Sequence, residues 1–513
     1  MWNKLRLFLP TIPDLLFVVP FLCLSFYPDN GLLEDGDTGY HIRAGKFILD
    51  TFSIPRHDIF SFLSPPITWT AHEWLSEVIM AIVHRAFGLT GVVIFFALLI
   101  SLVYYLLYRM NCTNKNNIIL AILVTLLVMV SSTTHWLARP HIFSLVLFVV
   151  WYFILNSYHY RNKSYLYLLP LLMLLWVNLH GGFIAGFILL GVYCIGNVVQ
   201  SFFSDAEKRS ASRKKAVALA FVSVLCLLAA LINPYGYHIL LFPFNLVSNR
   251  FLMDHITEFI SPNFHEIVPF KYLLLLMITL FAVSRERLDA IELFLVLIFT
   301  NMALYSARHI PLFAIIALPI ILRQGEALLR EKKGTFPDFL KKRSDAIVSI
   351  DKTAVGYVWP VIGVLIVIFF ASNGKLEYTF DAKKKPVAAV EFLKNEPING
   401  NMFNDDEFGD YIIYAAWPNY KVFVDGRSDM YGADRMKDYF KIVYMETGWE
   451  AVLEKYDINW IIYNSKSILS RVLIGDKGWR LIYSDKVATI FVRDIPEYQY
   501  LIDRYQNVIS LID

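Results

Sequence analysis

The stretch Phe21-Leu22-Cys23-Leu24-Ser25-Phe26, followed closely by Asp35-Gly36-Asp37-Thr38-Gly39-Tyr40-His41, decides how the rest of the chain is read. An apolar run ends, and two carboxylates appear one residue apart just beyond it. The same alternation recurs along the chain. Apolar runs are punctuated by Ala138-Arg139-Pro140-His141, Asn178-Leu179-His180-Gly181-Gly182, Asn233-Pro234-Tyr235-Gly236 and Ala307-Arg308-His309-Ile310-Pro311. Ionisable groups at membrane depth are costly, so several facing one compartment imply a shared polar cavity rather than a passive anchor.

Composition agrees with a membrane class. The chain has 513 residues, of which 57% are hydrophobic, and a mean hydropathy of +0.50, too apolar for an ordinary soluble protein of this length. The four cysteines, Cys23, Cys112, Cys194 and Cys226, form no C-x-x-C pair or zinc spacing, which argues against a disulfide or zinc scaffold. Windows of 17–25 apolar residues predict about eleven spans, the first retained because Cys23-Leu24-Ser25-Phe26 is a poor signal-cleavage site. Basic residues collect between alternate spans: Lys4 and Arg6, Arg109 and Lys115, Arg161 and Lys163, Lys208 to Lys215, Arg285 and Arg287, Arg323 to Arg343. The positive-inside bias therefore puts the N-terminus in the cytoplasm, and an odd number of spans puts the C-terminal region outside.

The expected architecture is a polytopic α-helical membrane part, residues 1–375, with a long first outer loop at 28–88. A small soluble α/β domain at 376–513 follows. Within the loop, 73–87 reads as an interfacial helix on the outer surface, with a short span as the alternative, broken by Gly88. The polar tail reads as helices at 386–394, 408–416, 435–444 and 449–456, with strands at 401–403, 421–424, 460–463, 480–483 and 488–492. The last two strands form a hairpin.

The first outer loop carries the strongest chemical signal. Asp35 and Asp37 can supply a general base, and Asp35 is a candidate ligand for a divalent cation such as Mg or Mn. The competing reading is an Asp-Gly turn with Asp37 as N-cap of a helix starting near Tyr40. Asp37 is the preferred base because the helix entry fixes its direction. Farther on come Ile54-Pro55-Arg56-His57-Asp58-Ile59-Phe60-Ser61 and Trp69-Thr70-Ala71-His72-Glu73-Trp74-Leu75. Together with the Arg-Pro-His, Asn-Leu-His-Gly-Gly, Asn-Pro-Tyr-Gly and Arg-His-x-Pro segments and Val424-Asp425-Gly426-Arg427 in the tail, these resemble bacterial integral-membrane glycosyltransferases of the GT-C class, in a branch with an extracytoplasmic C-terminal domain. The resemblance spans nearly the whole chain.

The resemblance implies an inverting transferase in the bacterial plasma (inner) membrane. It would move a sugar from a polyprenyl-phosphate donor to a lipid, glycan or protein acceptor on the outer face, with an acidic residue of the first outer loop catalytic, here Asp37 or Asp35. The chain lacks a Trp-Trp-Asp motif like that of oligosaccharyltransferases, which disfavours protein N-glycosylation. Glycosyl transfer needs a carboxylate at the acceptor and cations at the departing phosphate. Arg139, His141, His180, Arg308 and His309 lie at outer span ends and are the candidate phosphate ligands. His41, His72, Glu73, Asn178 and Asn233 are further cavity candidates, with Asn233 first of all a turn residue. Glu258 and Glu266 could approach the acidic pair but read first as solvated loop charge, Asp405-Asp406-Glu407 reads as a helix cap, and Asp425-Gly426-Arg427 as a turn with an internal ion pair. Membrane lipid is an expected partner and nucleic acid is not. Two other classes fit many spans: a lipid-sugar transporter, which should show midplane-broken helices or an inverted repeat, and a non-catalytic assembly scaffold. The first is disfavoured because the polar clusters sit at span ends, and the second leaves the acidic pair unexplained.

Overall fold

The computed structural model describes residues 8–27, 31–111, 117–331, 334–354 and 356–509; expectations resting on Lys4, Arg6, Cys112 and Lys115 lie outside the described residues. Helices fill the chain up to Ser372, and every named strand lies after them. Among the described residues four helices, Trp74–Asn111, His141–Arg161, Gly181–Phe203 and Ala307–Glu331, are long and apolar enough to cross a membrane. Seven other apolar helices among the described residues have only 10–17 residues. A spanning helix needs about 20 residues, so length and composition support four of the roughly eleven expected spans.

Local sequence sets the helix ends. Ile12–Ser25 opens with a capping box in which Thr11 Oγ1 accepts the Asp14 N–H and Asp14 accepts the Thr11 N–H. The buried Asp14 carboxylate also accepts the Tyr357 N–H at 3.1 Å, tying this helix to the start of Val358–Ser372. In Trp74–Asn111, Gly88 adopts φ 64° and ψ −162°, a conformation open to glycine, so the helix breaks at the expected point. Helix Thr38–Thr51 lies directly on this element. A Cβ on Gly45 would stand 1.9 Å from the Glu77 carbonyl oxygen, so only glycine permits the approach. The basic helix ends meet on one side, where Arg161 donates to the Met110 carbonyl at 2.9 Å.

The C-terminal part holds a four-stranded sheet of β1 (Asn401–Asn404), β2 (Ile458–Asn464), β3 (Trp479–Ser484) and β4 (Ala488–Arg493) in the order β1-β2-β4-β3. β1 and β2 are parallel and the other pairs antiparallel. The expected β3–β4 hairpin forms, its turn held by Asp485 Oδ1 accepting the N–H groups of Val487 and Ala488. Helices Ile468–Gly475 and Gln499–Arg504 were not anticipated. The expected strand at 421–424 does not join the sheet. Val422 instead pairs with the first polar loop, donating to the Phe60 carbonyl at 3.0 Å, beside an isolated parallel bridge to Ser61.

Two apolar cores result. One is built by the long helices, with Tyr378 and Phe380 joining it. The other belongs to the C-terminal part, but Tyr40, Phe60, Leu63, Trp69 and Ala71 of the first polar loop are part of it, as is Leu252. The loop is thus a structural member of the C-terminal body.

Candidate functional site

Helix Thr38–Thr51 begins beside Asp37, whose backbone is already helical and whose side chain makes no capping bond. Asp35 Oδ1 accepts the Asp37 N–H at 2.9 Å instead. This leaves the Asp37 carboxylate to turn to Arg139, with Oδ2 2.5 Å from Nη2. Nη1 of Arg139 lies 2.6 Å from Asp35 Oδ2 and also meets Glu258. Arg139 is held in place by its neighbour: the Ala138 N–H donates to the Leu32 carbonyl at 2.8 Å, and Thr38 Oγ1 donates to the Ala138 carbonyl at 3.1 Å. Glu258 sits on the turn Thr257–Phe259, which Ser306 fixes by donating to the Glu258 carbonyl at 3.0 Å. The Arg308 guanidinium lies 4.8 Å from the Phe259 ring centre. Four segments distant in sequence therefore meet in one charged cluster.

Its electrostatics separate the acids. Burial alone would raise Glu258, but Arg139 and then Arg308 outweigh it and push the carboxyl down to about 2. Asp37 moves the other way. Burial raises it, Arg139 opposes, and the crowding charges of Asp35 and Glu258 leave it well above the usual carboxylate range. The C-terminal part closes over the same group. The side chain of Asp410, on helix Asp406–Ala416, stands close to Asp37, and its Oδ1 accepts the Gly426 N–H at 3.0 Å. A Cβ on Gly426 would lie 2.1 Å from Asp37 Oδ1.

A second cluster surrounds Glu73. His180 Nε2 stands 3.3 Å from Glu73 Oε1, while the Nε2 atoms of His72 and His41 stand 3.7 Å from its two oxygens. His180 Nδ1 accepts the Gly182 N–H at 2.8 Å, which makes Nε2 the protonated nitrogen directed at Glu73. His41 Nδ1 contacts Glu77 at 3.2 Å and His72 Nδ1 donates to the Thr70 carbonyl at 3.1 Å. A small enclosed pocket lies here, lined in part by Tyr40, Trp69, His72, Glu73, Glu77 and Arg427. Arg427 Nη1 and Glu77 Oε2 are buried with no hydrogen-bond partner among the described residues.

No protein-family model and no curated protein matches the sequence. Solved structures do match. The Archaeoglobus fulgidus oligosaccharyltransferase in its apo form aligns over 94% of this chain and 74% of its own, with 12% identity and a TM-score of 0.54. The archaeal oligosaccharyltransferase AglB from the same organism, in complex with an inhibitory peptide and a dolichol-phosphate, covers 96% of this chain and 75% of its own, with 13% identity and a TM-score of 0.55. The form tethered with an acceptor peptide containing the NVT sequon gives 12% identity, 88% and 69% coverage, and 0.51. The fold resembles that of an oligosaccharyltransferase. At this identity the likeness concerns the fold alone.

Several expectations change in the structure. Arg139, expected at a donor phosphate, is engaged by three carboxylates. His180 has Glu73, Ser144 and Gly182 as partners. His141 Nε2 donates to the His135 carbonyl at 2.7 Å and His309 Nδ1 to the Met302 carbonyl at 3.3 Å. Arg308 is the exception: it makes no ion pair among the described residues. Asn178 is used structurally, accepting from Trp74 Nε1 at 2.9 Å and donating to the Leu174 and Ile232 carbonyls. Asn233 closes its own turn, its Oδ1 accepting the Tyr235 N–H at 2.7 Å. Glu258, read as solvated charge, is half-buried and belongs to the cluster, whereas Glu266 is exposed. Asp405 caps its helix as expected, accepting the Glu407 N–H at 3.2 Å. Asp410 was not anticipated and no local spacing marks it, whereas Asp58 stood within the Ile54–Ser61 motif without a role assigned to it.

A resident Mg or Mn does not fit the residues present. Asp35, the expected ligand, and its companions are turned onto Arg139, and among the described residues no group of three or more His, Cys, Asp or Glu is placed to hold a metal ion. Chemically, the arrangement offers a buried carboxyl with an elevated proton affinity and, near Glu258, a half-buried cation that makes no ion pair among the described residues.

Proposed function

We propose that the chain is a membrane glycosyltransferase of the inverting type, moving a sugar from a polyprenyl-phosphate-linked donor to a lipid, glycan or protein acceptor. The acceptor's O–H or N–H attacks the anomeric carbon, and the carbon–oxygen bond to the lipid phosphate breaks. The phosphate leaves with that electron pair. Asp37 takes the acceptor's proton, oriented by Arg139 and Asp35, and Arg308 receives the departing phosphate. The observation that carries this reading is the cluster of Asp35, Asp37, Arg139 and Glu258 with Arg308 beside it, in a fold resembling that of an oligosaccharyltransferase. Burial and the neighbouring acids raise the proton affinity of Asp37, the direction a general base calls for. AglB in complex with dolichol-phosphate supports a lipid-phosphate donor.

The orientation follows from the same picture. The basic helix ends at Arg109 and Arg161 are cytoplasmic, and the cluster and the C-terminal body, at the opposite helix ends, are extracytoplasmic in a bacterial inner membrane. Asp37→Asn keeps the shape and removes the charge, so transfer from a polyprenyl-phosphate sugar should fall by about 10²-fold or more. Near-normal turnover by a well-folded Asp37→Asn protein excludes the assignment. Donor binding should weaken more in Arg308→Ala than in Arg308→Lys, because lysine keeps the charge and loses only the fork.

A further inference from the structure

Carboxylate oxygens gathered from several chain segments are the donor set that hard divalent cations select. Asp35, Asp37 and Glu258 are such a set, drawn from the first polar loop and from a turn more than half the helical part away. Their common centre is a guanidinium. Arg139 Nη1 is shared by Asp35 and Glu258, and Nη2 is on Asp37. A guanidinium spreads its donors over separate nitrogens, so acids around it stand farther apart than acids around a single ion. The backbone bonds of Ala138 to Leu32 and Thr38 keep Arg139 in register with the loop that carries Asp35 and Asp37. Arg139 is only 17% exposed at its side chain, and the acids around it are 23%, 11% and 31% exposed. Three largely covered carboxylates need a positive centre, and the chain supplies one covalently.

We propose that Arg139 occupies the position of a divalent cation, so that this cluster is a carboxylate site with a built-in cation and takes neither Mg nor Mn. The inference rests on the transferase reading only for its catalytic consequence, which is transfer insensitive to chelators.

The test uses the full chain in detergent with Mn²⁺ as probe, read by electron paramagnetic resonance for binding and by thermal unfolding for stability. Wild type should show no saturable Mn²⁺ site at the cluster and an unfolding temperature unmoved by the ion. Arg139→Gln, left with uncompensated acids, should unfold at lower temperature and be restored by Mn²⁺. Adding Glu258→Gln to it should abolish that restoration. Arg139→Lys keeps a charge and should ignore Mn²⁺. A stoichiometric Mn²⁺ site in wild type that disappears in Asp35→Asn overturns the proposal, as does an Arg139→Gln protein indifferent to the ion. If Arg139→Gln cannot be recovered folded, wild type and Arg139→Lys decide: a saturable site in either overturns the proposal, and its absence from both supports it. None of these readouts needs transfer. Mn²⁺ binding by wild type leaves the transferase reading standing, and an Asp37→Asn protein that still transfers leaves this inference standing.

Discussion

Glu258 and Asp37 share Arg139 as a partner, which lowers both carboxyls, yet burial and neighbouring acids leave Asp37 raised while Glu258 ends depressed. For Glu258 the guanidinium outweighs burial and pushes the carboxyl from an ordinary 4.5 to about 2. A depressed carboxyl contributes stability that is present above its unfolded value and lost as pH falls through the folded one. Wild type should therefore lose stability between about pH 4.5 and pH 2, and Glu258→Gln should lose less over that window, as unfolding midpoints across the pH series would record. A steeper loss in the variant would contradict the pairing. At this scale the sequence was half legible. Asp35, Asp37, Arg139 and Arg308 stood out because ionisable side chains beside apolar runs are conspicuous. Glu258 looked like one loop charge among several, and Asp410 is a helix residue whose role arises only when the C-terminal body docks.

Among the elements, the contact between Thr38–Thr51 and Trp74–Asn111 sets the spacing between the two clusters, because His41 on the first reaches Glu77 on the second at 3.2 Å. Gly45 is the point of closest approach. Gly45→Ala should force the helices apart at a cost of about 1–3 kcal/mol, lowering the unfolding temperature and shifting His41 from Glu77. An unchanged unfolding temperature would mean that the contact is looser than described. The helix break at Gly88 and most C-terminal elements were readable from turn formers and apolar period. The segment around Val422 was not: its β-branched, aromatic pattern promises a strand but does not name the partner, and the partner is a loop more than 350 residues earlier.

At the scale of the molecule, one buried side chain ties the C-terminal part to the first polar loop. Arg427 Nη2 lies 2.8 Å from Asp58 of the first polar loop and 2.6 Å from its neighbour Asp425. The same guanidinium stands 4.6 Å from the Trp69 ring centre and 4.9 Å from that of Phe60. The sequence reading anticipated the internal pair with Asp425 and not the bridge to Asp58, because a turn motif carries no information about what lies across it. Arg427→Ala would leave two buried carboxylates unpaired, which costs about 3–5 kcal/mol. Limited proteolysis should then cut the first polar loop faster than in wild type, and equal cleavage rates would remove Arg427 as the joint.

The pairing of Phe60 and Ser61 with Val422 also imposes an order in time. A ribosome delivers the loop long before the segment that completes it, so during synthesis Phe60, Trp69 and Ala71 wait without the neighbours that bury them in the finished chain. Asp37 likewise meets Asp410 and Gly426 only after they have been made. The charged cluster is then among the last parts to mature, and nascent chains halted before residue 401 would carry the acidic loop in an open, uncommitted form.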